Sequence, residues 1–201
     1  LEEFVEFRRE LSQMIARRPS GDTALWPVVE SVQVDGVCKE VISPAPHSQG
    51  KIADMTGDIA TTIANGLDVT GVMAVELFET TDDRILVNEL AMRPHNSGHW
   101  SQDGCTTSQF EQHLRAVLDL PLGATGALQP WTVMVNILGG PASGDMTSPY
   151  AAAMAEHPTA KIHNYGKASR PGRKVGHVNV AGDELDEVVY QARGAASFFE
   201  D

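Results

Sequence analysis

The sequence is short of several features that mark whole classes of protein. It has two cysteines, Cys38 and Cys105, in 201 residues. That is too few for a disulfide scaffold and fits a reducing cytoplasm. Its apolar runs fall short of the roughly 18 residues that cross a bilayer, and it shows no signal peptide, so we expect neither a membrane span nor secretion. Basic residues number 15 against 27 acidic ones, and the net charge of −12 disfavours nucleic acid or an anionic membrane as the main partner.

What is present is the composition of an ordinary globular protein. Hydrophobic residues make up 42 % of the chain and charged residues 21 %. A chain of this length buries roughly 70 % of the surface that it exposes when unfolded, so it has enough material for a core. The chain begins at Leu1 rather than at a methionine, within what reads as structure, and we expect a piece of a longer protein.

Two kinds of hydrophobic spacing alternate along the chain and predict its elements. Asp35-Gly36 is typical of a type I′ hairpin turn, because both residues tolerate positive φ angles. A helix is predicted over 51–67, where apolar residues recur every three or four positions, and another from Ser108, with Glu111 completing a capping box. The predicted strands are 1–5, 10–17, 24–34, 37–42, 71–78, 84–90 and 131–138, with further strands near Lys161 and Val175, an irregular loop over 93–105 and a final helix from about Asp183. The pattern indicates an α+β fold with a mostly antiparallel sheet, divided at 123–130 into domains 1–123 and 124–201.

A pair of acids is the first candidate site. Glu76 and Glu89 lie on the two strands that meet at Asp82-Asp83, and a hairpin closed symmetrically there places them opposite each other on one face. Two carboxylates this close repel unless a proton or a cation lies between them. Oxygen ligands from two acids suit Mg²⁺, which completes its shell with phosphate oxygens and water. The alternative is an exposed edge from which both side chains extend into water.

Two further candidate sites carry positive charge. The loop 93–100 is dense in hydrogen-bond donors and begins with Arg93, which suits an oxyanion, although it also reads as a structural loop. His95 and His99 lie four apart, but Pro94 and Gly98 break a helix there, so we reject a zinc site. Between Glu156 and Asp183 there is no acid, and this window holds five basic residues: Lys161, Lys167, Arg170, Arg173 and Lys174. The turn over 170–177 suits a phosphate monoester, and the alternative is a solvated surface.

Several of these segments together resemble one enzyme family. Residues 87–100 read VNELAMRPHNSGHW, residues 107–111 read TSQFE and residues 170–177 read RPGRKVGH. These strings closely resemble the signatures of the N5-carboxyaminoimidazole ribonucleotide synthetases, which are ATP-grasp enzymes of purine biosynthesis. The segments LEEFV at 1–5 and ELS at 10–12 resemble the strand pair that binds adenine and ribose in this family. The resemblance implies an ATP-grasp C-terminal subdomain followed by a small α/β C-terminal domain of the rudiment single-hybrid kind.

The resemblance also implies a role for individual residues. The adenine pocket would be lined by Glu2, Glu3, Phe4 and Val5, and Glu10 would hold the ribose hydroxyls. Glu76 and Glu89 would bind Mg²⁺ ions that bridge the ATP phosphates, with Asn88 adjacent. Bicarbonate and the carboxyphosphate made from it would be held by Arg93, His95, Asn96 and Ser97. The 5′-phosphate of 5-aminoimidazole ribonucleotide would be bound by Arg170, Arg173 and Lys174.

The implied reaction is an ATP-dependent carboxylation. Bicarbonate attacks the γ-phosphate of ATP and gives carboxyphosphate and ADP, and the carboxyl group then passes, as CO₂, to the exocyclic amine of the ribonucleotide. The resemblance implies a cytoplasmic ligase that is a homodimer at full length. Family members begin with a Rossmann-like domain and the first part of the ATP-binding region, which nothing in these 201 residues matches, so we expect the chain alone to be inactive.

Two other interpretations remain open at this point. In the first, the chain is a non-catalytic module that binds a nucleotide or a partner. In the second, it belongs to another ATP-grasp ligase, which carboxylates a different substrate or uses formate. The string over 93–100 argues against the second of these, and the polypeptide that precedes Leu1 decides the first.

Overall fold

A computed structural model describes residues 4–200 of the chain. Within that range nine strands form one sheet, in the order β6-β5-β1-β3-β4-β7-β9-β8, with the short β2 paired to β1. Each strand pairing is antiparallel. The strands are β1 (Phe7–Arg17), β2 (Thr23–Leu25), β3 (Val29–Val34), β4 (Val37–Ser43), β5 (Gly71–Thr80), β6 (Ile85–Ala91), β7 (Trp131–Leu138), β8 (Lys161–Asn164) and β9 (Lys174–Gly182). The helices are α1 (Lys51–Gly66), α2 (Ser101–Gly104), α3 (Gln109–Val117), α4 (Tyr150–Glu156) and α5 (Leu185–Ser197), with a 3-10 turn over Asn96–Gly98.

The sheet has two faces, because side chains alternate along each strand. Leu11, Ile42 and Val133 lie in one cross-strand row through Glu30, and this face packs against α1 at one end of the sheet and α5 at the other. We call it the helix face. On the opposite face, a cluster around Trp100 and Met134 packs beneath the segment 95–118, which contains the 3-10 turn, α2 and α3. We call this opposite side the site face.

Most elements form where the sequence predicts them. The helix predicted over 51–67 is α1, and Asp35 and Gly36 have φ angles of 52° and 73°, as a type I′ turn requires. At the start of α3 the Ser108 side chain accepts a hydrogen bond from the Glu111 amide at 3.3 Å, so the predicted N-cap is confirmed. The Glu111 carboxylate accepts from Arg115 instead of from the Ser108 amide, so the second half of the predicted capping box does not form. No helix among residues 4–200 is both long and apolar enough to cross a membrane.

The strand predictions near the start of the chain are wrong in detail. Two strands were expected over 1–5 and 10–17, but one long strand begins at Phe7, and the described residues Phe4 and Val5 precede it outside regular structure. The strand expected over 24–34 is divided at Pro27, which has no amide hydrogen for the ladder. The loop expected over 93–105 contains the 3-10 turn and α2.

The segment 123–130 connects α3 to β7 without a helix or a strand of its own. The sheet nevertheless continues across it, because β7 pairs with β4 from Glu40 to Ser43. The ion pair of Arg193 on α5 with the buried Glu40 on β4 joins the same two parts of the chain. The two predicted domains therefore share one sheet.

Candidate active site

The two acids singled out in the sequence are cross-strand neighbours. Glu76 on β5 pairs with Glu89 on β6, and on its other side with Ser12 on β1. The three residues form one row on the site face, at the end of the sheet where β6 is the edge strand. The predicted pairing of Glu76 with Glu89 is confirmed.

The reasoning that gave this pairing was incomplete. The hairpin does not close about Asp82-Asp83, because the Thr80 amide donates to the Arg84 carbonyl at 2.9 Å and the loop between these two residues has three members, 81–83, instead of two. That register would place Glu76 opposite Asn88. A β-bulge at Asn88 moves the register by one residue and restores the pairing with Glu89.

We call Glu76 and Glu89 the acidic row. A third carboxylate, that of Glu10, adds to the negative charge around it. Burial raises the pKa of Glu76, and the charges of Glu89 and Glu10 raise it further, against the smaller opposing effect of Lys174 and Arg93. Burial also raises the pKa of Glu10, while a hydrogen bond from Gln33 lowers it. Carboxylates that disfavour their own ionised form in this way are suited to a cation.

The segment 95–99 crosses the site face from this row toward β7. The His95 ring nitrogen Nε2 lies 3.1 Å from the Glu76 carboxylate, and the Ser97 hydroxyl lies 2.7 Å from the Ser12 hydroxyl. The Asn96 side-chain amide makes two reciprocal hydrogen bonds with that of Asn136 on β7, at 2.7 and 2.9 Å. Three consecutive side chains are thereby fixed to three strands of the sheet.

His95 is uncharged and holds one tautomer. Its Nδ1 atom accepts from the Ser97 amide at 3.4 Å and lies 2.9 Å from the Ser97 hydroxyl, so the proton resides on Nε2 and is donated to Glu76. Burial lowers its pKa to about 4, with Arg93 and Lys174 contributing in the same direction. Ser12, Ser97, His95 and Glu76 therefore form one chain of hydrogen bonds.

Gln109 at the start of α3 supports this segment from behind. Its side chain is fully buried, accepts from the His95 amide at 2.8 Å and donates to the His95 carbonyl at 2.8 Å. The same amide nitrogen lies 2.9 Å from Nδ1 of His99. The capped start of α3 thus determines where the 95–99 backbone lies.

The three basic residues predicted to bind a phosphate do not point the same way. Arg170 and Arg173 are exposed on the turn before β9, and Arg173 donates to the Ala168 carbonyl at 3.4 Å. Lys174 is half-buried and donates to Asn96 at 3.2 Å, so it belongs with the 95–99 segment. The structure therefore brings Lys174, but not the two arginines, to the acidic row.

The remaining predicted site residues are less constrained. Glu2 and Glu3 lie outside the described residues. Phe4 is 87 % exposed, Asn88 is exposed at the bulge, and Arg93 is exposed with a hydrogen bond to the Pro94 carbonyl.

Sequence reasoning missed the buried polar partners of the site. Ser12 and Asn136 are fully buried, Asn136 in a strand that is otherwise almost entirely apolar, and Gln109 is fully buried although it lies next to an apolar helix face. The signal was available, because a polar residue within an apolar strand needs a hydrogen-bond partner. Which partner it finds depends on long-range pairing.

Comparison with known proteins agrees with this architecture. Residues 1–110 match the family profile described as ATP-grasp domain, and residues 132–191 match the profile described as phosphoribosylaminoimidazole carboxylase C-terminal domain. The chain is 54 % identical over 198 residues to the N5-carboxyaminoimidazole ribonucleotide synthase of Mycobacterium tuberculosis, a match that covers 98 % of this chain and 46 % of that protein.

Solved structures of the same group have the same fold. The N5-carboxyaminoimidazole ribonucleotide synthetase from Thermus thermophilus is 38 % identical, with a TM-score of 0.88 over 100 % of this chain and 53 % of its own. The synthase from Aspergillus clavatus, in complex with ADP and 5-aminoimidazole ribonucleotide, is 35 % identical, with a TM-score of 0.87 over 98 % of this chain and 52 % of its own.

The chain spans about half the length of the relatives that it matches. The resemblance to the N5-carboxyaminoimidazole ribonucleotide synthetases that the sequence indicated is confirmed by these identities, which extend over nearly all of this chain. Because the ATP-grasp profile matches more than half of its residues and the antiparallel sheet agrees with its solved relatives, the chain belongs to the ATP-grasp family.

Proposed function

We propose that this chain is the ATP-grasp and C-terminal part of a ligase that carboxylates 5-aminoimidazole ribonucleotide with bicarbonate and ATP. The observation that carries the proposal is the convergence of the acidic row with the segment 95–99 and Lys174 on one face of the sheet. The N5-carboxyaminoimidazole ribonucleotide synthase of Mycobacterium tuberculosis, which is 54 % identical over 198 residues and about twice as long, supports the same proposal.

The acidic row fits Mg²⁺. Glu76 and Glu89 offer carboxylate oxygens from adjacent strands, and Glu10 adds negative charge close by. No group of three or more potential ligands among residues 4–200 is arranged to enclose a metal. Mg²⁺ commonly takes one or two carboxylates from a protein and completes its shell with phosphate oxygens and water. When bound, Mg²⁺ would neutralise charge on the ATP phosphates during phosphoryl transfer.

The neighbouring side chains would orient the carboxyl donor. Arg93 supplies positive charge at the mouth of the site, and Asn96 and Ser97 are fixed by the sheet. His95 donates the single N–H of its uncharged ring to Glu76, so it would position that carboxylate beside the carboxyl donor. In this proposal bicarbonate attacks the γ-phosphate, and the carboxyl group of the resulting carboxyphosphate passes to the ribonucleotide amine. Catalysis would come mainly from positioning and charge neutralisation.

The ribonucleotide phosphate would lie between the turn before β9 and the acidic row. Arg170 and Arg173 would meet it from the exposed turn, and Lys174 from inside the site. The adenine would be held by Glu2, Glu3, Phe4 and Val5, and the ribose by Glu10. We further propose two domains with a boundary at 123–130, a cytoplasmic location, and a homodimer for the complete enzyme.

The test is ADP release by the complete enzyme, that is, this chain joined to the N-terminal half that its relatives contain. We expect ADP release to require both bicarbonate and 5-aminoimidazole ribonucleotide. Lys174→Ala should raise the KM for the ribonucleotide about tenfold, because a charge-assisted hydrogen bond contributes about 1.5–3 kcal/mol. Lys161→Ala, an exposed lysine of the same acid-free window, is the matched control.

Two results would contradict the proposed function. ADP release that ignores the ribonucleotide would overturn the proposed substrate, and a Lys174→Ala enzyme with a raised KM for ATP alone would reverse the assignment of the two substrates. The isolated 201-residue chain should bind nucleotide weakly and release no ADP, since the ATP would contact residues on one side only. Rapid turnover by the chain alone would contradict this.

A further inference from the structure

A stack of three histidine rings lies next to the candidate active site and has no part in the proposed function. The ring of His177 on β9 lies between that of His99, at 4.9 Å between centroids, and that of His163 on β8, at 4.4 Å. The ring planes deviate from parallel by 14° and 11°. We call these three residues the histidine stack. Because its rings are parallel rather than convergent, it does not form a metal site.

The histidine stack is held by hydrogen bonds at its edges. The Tyr165 hydroxyl lies 2.7 Å from Nδ1 of His177, and Asp103 on α2 lies 2.7 Å from Nε2 of His163. Asn179, two residues after His177, donates both to the same Asp103 oxygen at 2.7 Å and to the His99 carbonyl at 3.1 Å. The β8–β9 hairpin is thereby attached to the 99–103 segment at several points.

The centre of the histidine stack is built for an uncharged ring. His177 is 1 % exposed, and its Nε2 atom has no hydrogen-bond partner. A charged imidazole would carry an N–H on both ring nitrogens, and the one on Nε2 would be buried without an acceptor. Burial lowers the pKa of His177, and lowers that of His99 to about 4. The other charged or titratable groups facing the stack are Asp103, Tyr165, Lys167, Lys174 and His95.

The histidine stack is connected to the candidate active site through the sheet. His177 pairs with Asn136 on β7 and with His163 on β8, so the Asn136 side chain that holds Asn96 lies in the same row as the stack. A register shift in the β7–β9 ladder leaves Val175 unpaired with β7 and brings Lys174 onto the site face, where it contacts Asn96. The position of β9 therefore determines where Lys174 lies relative to the segment 95–99.

We propose that His177 is a positioning residue, which locks Lys174 and the β8–β9 hairpin against the segment 95–103 by stacking as an uncharged ring between His99 and His163. This inference rests on the proposed function, since the contact that it positions is the one between Lys174 and the ribonucleotide phosphate. The ring acts through β9 and touches no substrate itself.

The test compares His177→Ala with His177→Phe in the complete enzyme. The alanine variant removes the central ring, and we expect the KM for 5-aminoimidazole ribonucleotide to rise at least tenfold while the KM for ATP changes less than twofold. Phenylalanine restores a flat, uncharged ring and should bring the ribonucleotide KM back to within about threefold of the wild-type value. His157→Ala, which removes a buried histidine bound to Gln191 elsewhere in the fold, is the matched control and should not change the ratio of the two KM values.

The outcomes separate this inference from the proposed function. If the wild-type enzyme does not carboxylate the ribonucleotide, the proposed function fails; if it does, and His177→Ala leaves the ratio of the two KM values unchanged, the inference fails. Should His177→Ala not fold, His163→Ala removes an outer ring and is expected to move the ribonucleotide KM in the same direction by a smaller factor. The ¹⁵N shifts of the imidazole nitrogens at pH 7 give a measurement that needs no substrate. A charged His177 ring would overturn the inference.

Discussion

At the scale of single residues, the acidic row is the feature with the clearest energetic consequence. Glu76 carries a raised pKa because it is buried beside Glu89 and Glu10, so the site stores electrostatic repulsion that a cation relieves. Removing one of these charges should weaken the interaction with a cation and ease the ionisation of its neighbour.

Glu89→Gln is the corresponding prediction. In the complete enzyme this substitution should lower kcat at least tenfold and leave the KM for the ribonucleotide within about twofold, because the lost charge acts on the phosphoryl transfer. Steady-state kinetics with each substrate varied separately provide the measurement. Glu156→Gln, at an exposed glutamate on α4, controls for the loss of a surface charge. A Glu89→Gln enzyme with normal kcat would rule out a metal ligand at this position.

At the scale of elements, α3 shows how a helix can be predicted correctly and oriented unexpectedly. Its apolar residues Phe110, Leu114 and Val117 are 40–60 % exposed, whereas Gln109 and Gln112 are fully buried. The two glutamines face inward because they satisfy loop backbone, Gln109 at His95 and Gln112 at Gly123. The helix therefore orients the segment 95–99 through polar contacts rather than through its apolar face.

The packing between α3 and the 3-10 turn gives a prediction at this scale. A Cβ atom at Gly98 would lie 2.2 Å from the Met14 sulfur and 2.6 Å from Oε1 of Gln109. Gly98→Ala should therefore destabilise the fold by about 1–3 kcal/mol and displace the amide that holds His95. Urea denaturation measures the first effect and kinetics the second. Gly126→Ala, where a Cβ meets nothing within 4 Å, should leave both unchanged; equal stability of the two variants would refute the close packing.

The same scale shows what the sequence could and could not predict. Hairpins and helices follow from local signals, as Asp35-Gly36 and the Ser108 cap show. The bulge at Asn88 has no local signal, because an exposed asparagine in a strand is compatible with regular pairing. The register of Glu76 and Glu89 was therefore right only because two errors, in the turn and in the ladder, cancelled. The contacts of Asn136 and Lys174 with Asn96 depend on residues 40 and 78 positions apart and are invisible to any local pattern.

At the scale of the whole molecule, the histidine stack makes stability depend on pH. His99 and His177 are uncharged in the folded chain, with pKa values below the ordinary 6.5, so the unfolded chain binds more protons in mild acid. Their contribution is complete above about pH 6.5 and declines as the pH falls toward 4. The free energy of unfolding should fall between pH 7 and 5, with a slope that approaches about 1.4 kcal/mol per pH unit for each histidine once the pH is well below 6.5.

Comparison with a variant isolates this effect from the carboxylates. The raised pKa of Glu76 acts in the opposite direction, since it favours proton binding by the folded chain, but it is present in both proteins. Urea denaturation of the 201-residue chain at pH 7, 6 and 5 should show a shallower decline for His177→Phe than for the wild type. Parallel curves for the two proteins would mean that His177 is charged in the folded state.

The pairing of β4 with β7 joins the two family segments of this chain, and with them the two proposed domains, through one continuous sheet. Separating them at 123–130 would expose two unpaired strand edges, each a template for aggregation. The same complementarity gives the two pieces a defined way to recombine, through the β4–β7 ladder, the ion pair of Glu40 with Arg193, and the amide pair of Asn96 with Asn136. If the chain were divided near Gly126, we expect the two fragments to recombine through these contacts. The candidate active site would then form only when both fragments are present.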